Sequence, residues 1–261
     1  MREWTHKRRS TMKLLLIGLS ITIILPLQAL SDSGSAPQQE MTAQAWFEKA
    51  KVNSASKKTS DVKNTIEYLT KAISLDPDYA SAYFYRAIVY REIKQPDLAI
   101  EDFNQAISME PDNCGGLMGR GVTYSELSKF KEAIADFDRV IKLEPEMWQA
   151  HQARGYAFLD LHQNDKAAQD FDIVIHYDPQ NPIAYKDRGN AFNGLKKYDR
   201  AILDFNQAIE LDSKNSVAYS GRGLAYIMLG NEKKGCDDLK KACSLGFCNA
   251  YNLAIQDNIC R

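Results

Sequence analysis

The chain has 261 residues, 44% of them apolar and 26% charged, with a formal net charge of −1. That length suits one or two ordinary domains. The near-neutral balance supplies no basic field, so a nucleic-acid partner is not expected. At the N-terminus, Arg2, Lys7, Arg8, Arg9 and Lys13 precede an apolar run from Leu14 to Leu27. A run of about 14 residues falls short of the roughly 20 that a spanning helix needs. Ala29-Leu30-Ser31 then offers small residues at a spacing suited to signal peptidase. Residues 1–31 are therefore expected to be a secretory signal, with Met12 as a second possible start. No Cys follows the run, so lipoprotein processing is not expected. The other reading is an uncleaved inner-membrane anchor, and a membrane contact is expected only if the segment is retained. Removing residues 1–31 takes away five basic residues and one acidic one, leaving a formal charge of −5. Residues 32–42, rich in Ser, Asp, Gly, Pro and Gln, read as a flexible linker.

From about Ala43 onward one interval dominates. Pro77, Pro111, Pro145 and Pro179 are each 34 residues apart, and Ser213 holds the next beat. Arg86, Arg120, Arg154, Arg188 and Arg222 keep the same period, each followed by Ala or Gly. Asp102, Asp136, Asp170, Asp204 and Asp238 follow those arginines by 16 residues, and each precedes Phe or Leu. Self-similarity at this period predicts a solenoid, because one unit alone cannot bury its apolar face.

Residues 80–93 put Tyr83, Ala87 and Tyr90 on one face at helical spacing, and a break follows at residues 94–97. The next helix is expected from about Asp97 to Met109, with Ala99, Phe103, Ala106 and Ile107 facing inward. Pro111 stops it, since proline cannot continue a helix. Glycine inside a helix costs about 1 kcal/mol relative to alanine. Its recurrence at Gly121, Gly155, Gly189 and Gly223 predicts close approach of a neighbouring helix, with Ala99, Ala133, Ala167, Ala201 and Gly235 as the facing small sites.

On these residues the chain resembles the tetratricopeptide repeat (TPR) proteins. Tyr83, Ala87, Tyr90, Ala99, Phe103, Ala106 and Pro111 carry the family pattern in one unit. Tyr185, Gly189, Phe192, Ala201, Phe205, Ala208 and Ser213 carry it in another. The resemblance covers about residues 43–247. It implies an all-α, right-handed superhelical solenoid of antiparallel helix pairs, with about six units and a C-terminal capping helix. The units are a degenerate first one at 43–79, then 80–113, 114–147, 148–181, 182–215 and 216–247, with a Cys-tied cap at 248–261. In the first unit Trp46 and Ala50 fill the bulky and small sites if the turn near Lys57–Ser60 is lengthened. The Cys-bearing end is similar to Sel-type repeats.

Cys114 stands alone, whereas Cys236, Cys243, Cys248 and Cys260 crowd the last 26 residues. In an oxidising compartment paired cysteines become bridges. Cys243 and Cys248 flank a turn at Leu245-Gly246, with Cys236 and Cys260 further out on opposite arms, so the nested set Cys243–Cys248 and Cys236–Cys260 is expected. A four-thiolate zinc site is the other reading, but zinc sites favour close Cys-x-x-Cys pairs, and the chain has none. No metal and no cofactor is expected.

The Arg and Asp ladders are expected to pair with one another as a structural device, since five near-identical copies suit a repeated need better than one ligand. His151 takes the bulky repeat position and is expected in the core. No phosphate loop, nucleophile elbow or His-Glu-x-x-His occurs, so the chain is not expected to be an enzyme.

The resemblance implies a concave side, lined by the first helix of each pair, that holds peptides or helices. Binding residues are expected one turn off the packing stripe, where units differ. These are Phe84 and Ile88 in the second unit, Met118 and Val122 in the third, and Gln152 and Tyr156 in the fourth. Lys186 and Asn190 in the fifth unit and Leu224 in the sixth complete the stripe, with Asn193 and Ser220 beside it. Lys186 and Asn190 match part of the family's carboxylate clamp, but Gly221 stands where another Asn is wanted. The expected function is a non-catalytic, extracytoplasmic (periplasmic) scaffold with a protein or peptide partner. The alternatives are a membrane-anchored, self-associating scaffold or an accessory subunit of an envelope enzyme complex.

Overall fold

Each interval folds into two antiparallel helices in the computed structural model, which describes residues 41–54 and 59–260. Residues 1–31, expected to be a secretory signal, and residues 32–40 of the expected linker lie outside the described residues. The first pair is α1 (Ala43–Ser54) and α2 (Thr59–Leu75). Then come α3 (Ala80–Glu92) with α4 (Pro96–Met109), α5 (Cys114–Glu126) with α6 (Phe130–Leu143), and α7 (Trp148–Asp160) with α8 (Asn164–Tyr177). α9 (Pro182–Gly194) pairs with α10 (Tyr198–Leu211), and α11 (Ser216–Met228) with α12 (Glu232–Ser244). α13 (Asn249–Gln256) closes the series, and no strand occurs among the described residues.

Helix boundaries follow local chemistry. Asn113, Asn181 and Asn215 precede α5, α9 and α11, and each side-chain oxygen accepts a bond from a first-turn backbone N–H. α4 starts at Pro96 rather than Asp97, because proline at the first helical position forfeits a hydrogen bond that is missing there anyway. The turn between paired helices repeats one left-handed residue: Lys94, Ser128, His162, Lys196 and Gly230 have φ of 61°, 57°, 56°, 59° and 78°. Only the last is glycine, so four units accept a modest backbone strain at this point.

The core is a row of rings. Phe103, Phe137, Phe171 and Phe205 are fully buried, and burying each stabilises the fold by roughly 1.5–3 kcal/mol. The helical glycines face these rings: a Cβ on Gly121 would stand 2.6 Å from Phe137, and one on Gly189 would stand 2.9 Å from Phe205. In the last full pair the two small sites meet directly, where a Cβ on Gly223 would stand 2.9 Å from the Gly235 carbonyl oxygen. In the first unit Phe47 and Ala50 are buried with Leu69 and Ala72, and Trp46 packs against them at the margin. Thr59 and Ser60 already belong to α2.

At the C-terminal end, α13 lays Ala250, Tyr251 and Ala254 against Leu239 and Ile227. The Cys236 and Cys260 sulfurs are 1.91 Å apart, and those of Cys243 and Cys248 are 1.98 Å apart. Both pairs stand at disulfide distance, and the first sets the segment after α13 against α12. Cys114 is a buried free thiol. Burial, with Glu144 alongside, pushes it up to about 11, so it is protonated and unreactive at neutral pH.

Candidate functional site

The charged ladder comes first, because it holds the first helices in place. Each arginine lies against the aspartate 16 residues on, through two parallel bonds. Arg86 donates Nε and Nη2 to Asp102 at 2.7 and 2.8 Å, and Arg222 reaches Asp238 at 2.7 Å twice. Arg120, Arg154 and Arg188 hold Asp136, Asp170 and Asp204 in the same way. The third guanidinium nitrogen reaches back 16 residues, to Thr70, Asn104, Asp138, Asp172 and Asn206 in turn. Each arginine therefore ties its own helix to the second helix of its unit and to the second helix of the unit before. The aspartate bonds hold the guanidinium groups of Arg120, Arg154, Arg188 and Arg222 above their ordinary value, so these arginines stay charged at every accessible pH.

His151 is buried, and its Nδ1 lies 3.0 Å from Asp170 Oδ1. It thus joins the ladder instead of filling an apolar slot. That contact is invisible in the repeat pattern, because Tyr or Leu occupies the site in the other full units.

The inner wall follows from the stacking. First helices of neighbouring pairs touch one another, α3 with α5, α5 with α7 and α9 with α11, whereas no two second helices meet as closely among the described residues. The row therefore bends with the first helices inside. Phe84, Ile88, Met118, Val122, Gln152, Lys186 and Asn190 lie half-buried along this wall, and Tyr156 and Leu224 are exposed.

Two side chains bridge neighbouring first helices across the wall. Asn193 donates Nδ2 to the Gly221 carbonyl at 3.0 Å, so its amide is partly spent on structure. Tyr156 donates its hydroxyl to Asp187 Oδ2 at 2.8 Å. Asp187 is 3% exposed, and Lys186 Nζ lies 2.9 Å from its other oxygen. Burial pushes the Asp187 carboxyl above its ordinary value, against the opposing pull of Lys186 and Tyr156. Burial, reinforced by Asp187, pushes the Tyr156 hydroxyl up as well, so it stays a donor.

Asp187 is not among the expected residues, and it supplies the partner of Lys186. That lysine is already neutralised by its neighbour and is not a free clamp cation. The signal that would have found Asp187 is its place six residues into the repeat, where Gly119, Ala153 and Gly221 stand in three other units. A charged group where small residues prevail marks a local exception.

The Tetratricopeptide repeat sequence profiles match residues 80–113, 118–161 and 152–216. Among solved structures, the fold is similar to a tetratricopeptide repeat protein from Parabacteroides merdae, at 21% identity and a TM-score of 0.69, covering 83% of this chain and 85% of that one. It is also similar to pilF of Pseudomonas aeruginosa, at 16% identity and a TM-score of 0.66, covering 82% of this chain and 97% of that one. YrrB, described as a TPR protein with an unusual peptide-binding site, aligns at 20% identity and a TM-score of 0.63, covering 72% of this chain and 97% of its own. At such identities the likeness is one of fold. No curated protein matches the chain.

Proposed function

From the premise that the chain belongs to the tetratricopeptide repeat family, we propose that it is a non-catalytic scaffold that holds a polypeptide against its inner wall, outside the cytoplasm. The observation that carries this reading is the wall itself. Five first helices stand side by side, braced from behind by the arginine ladder, with side chains that differ from unit to unit along the exposed stripe. The repeated residues are spent on packing, and the variable ones are left to select a partner. TPR proteins as a class are interaction scaffolds, and the peptide-binding site of YrrB supports the same use of the fold here. The basic and apolar N-terminal sequence supports export, and two paired sets of cysteines at the C-terminal end suit an oxidising compartment.

A photo-crosslinking residue placed at Tyr156 in the native cell tests the reading. It is expected to yield a discrete protein adduct, while the same group at Leu203, 67% exposed on α10, yields none. Adducts from Leu203 with none from Tyr156 would place the partner on the other side.

A further inference from the structure

A cleft of about 460 Å³ opens between α7 and α8, lined by His151, Arg154, Phe158, Lys166, Asp170 and Ile173. A volume of that size suits a small organic group. His151, Arg154 and Phe158 fall on the side of α7 opposite Gln152 and Tyr156, so the cleft is separate from the variable stripe. One residue sets it apart from the other units. At the position of His151 the second, fifth and sixth units carry Tyr83, Tyr185 and Tyr219. The guanidinium carbon of the arginine three residues on stands 5.6, 5.7 and 5.4 Å from those ring centres. In the third unit Leu117 takes the place and is fully buried. The fourth unit has the smaller imidazole instead, so Arg154 keeps the Phe158 ring at 5.7 Å and lacks the tyrosine. His151 is 9% exposed, and its Nδ1 is turned to Asp170, which already accepts two bonds from Arg154. A carboxylate only accepts, so Nδ1 carries the proton. The other ring nitrogen, Nε2, has no hydrogen-bond partner among the described residues, yet it is not sealed from solvent. Leaving such an atom unpaired is costly.

We propose that this cleft binds a hydroxyaryl group, supplied by a free phenol or by a tyrosine side chain of another polypeptide. The incoming ring takes the place that Tyr83, Tyr185 and Tyr219 fill in their own units. It lies against the Arg154 guanidinium, with Phe158 and exposed Ile173 as apolar walls. Lys166, whose Nζ stands 5.2 Å over the Phe158 ring, adds a second cation at the edge. The hydroxyl meets Nε2 of His151. A hydroxyl both donates and accepts, so it satisfies that nitrogen whether or not the nitrogen carries a proton. A plain anion is a poorer fit, because Asp170 and Asp138 already engage Arg154. The cleft keeps this role whether or not the inner wall holds a polypeptide.

Saturation-transfer NMR on the whole purified protein tests this, with p-cresol, toluene and N-acetyl-tyrosinamide as probes. The protein is expected to bind p-cresol saturably, and toluene, which has the ring without the hydroxyl, about fivefold or more weakly. The variant His151→Tyr fills the cleft from within and is expected to abolish binding with little change in melting, because three other units carry Tyr there. In the unsubstituted protein p-cresol is expected to shift the imidazole signals of His151 and to leave those of exposed His162 and His176 unmoved. N-acetyl-tyrosinamide bound as well as p-cresol identifies a polypeptide tyrosine as the natural ligand. Its exclusion, with p-cresol bound, identifies a free phenol. No binding of p-cresol, toluene bound equally well, His151 signals that do not move, or binding that survives His151→Tyr would overturn the proposal.

Discussion

Replacing Arg154 by alanine is expected to destabilise the fold by about 3 kcal/mol, the lower end of the range for breaking a buried pair. The arginine side chain is 21% exposed, and Asp170 is 4% exposed. Removing the guanidinium leaves the Asp170 carboxylate buried with only His151 beside it. It also releases Asp138, the tie to the preceding unit. Most of the loss is the uncompensated carboxylate rather than the pair itself, since a buried pair is partly cancelled by the desolvation of its members. For a chain of this size the melting temperature is expected to drop by roughly 6–12 °C, seen by circular dichroism. Affinity for the inner-wall partner should change far less, because Arg154 points away from the variable stripe. A small shift in melting with a large loss of binding would make the ladder a ligand track.

Phe205→Ala is expected to have the larger effect of the two, about 3–5 kcal/mol. Phe205 is fully buried in a cluster with Ala201, Ala208 and Ala218. Its ring fills the space above Gly189 of its own unit and above Gly221 of the next. Those glycines leave room for the ring, so truncation opens a cavity at two junctions at once. In a solenoid, stability is close to a sum of unit and neighbour terms. Weakening one interior junction should therefore divide the array. Urea unfolding followed by tryptophan fluorescence, which reports Trp46 and Trp148 on the N-terminal side, should then no longer coincide with circular dichroism. Coincident transitions with a small loss would show that the rings are interchangeable filling.

The periodic part of this structure was legible because repetition turns weak signals into strong ones. One Arg followed 16 residues later by Asp means little, and five copies at a fixed interval mean a shared contact. The third member of each tie obeys the same interval, at Thr70, Asn104, Asp138, Asp172 and Asn206. It is hidden in the sequence because its side chain changes from unit to unit, and only the stacking shows that the preceding second helix lies within reach. Asp187 was hidden for the opposite reason, since it happens once. Lys186 and Asp187 are also adjacent in sequence, and adjacent residues on a helix diverge. The long lysine stem overcomes that divergence.

Hydroxyl-radical footprinting with and without the polypeptide identified by crosslinking tests most directly whether the inner wall does the binding. Binding is expected to protect Met118, Tyr156, Leu224 and Met228, and to leave Tyr177 and Leu203, which are exposed on second helices at 44% and 67%, oxidised as before. Protection of Tyr177 and Leu203 with the inner residues unchanged would contradict it.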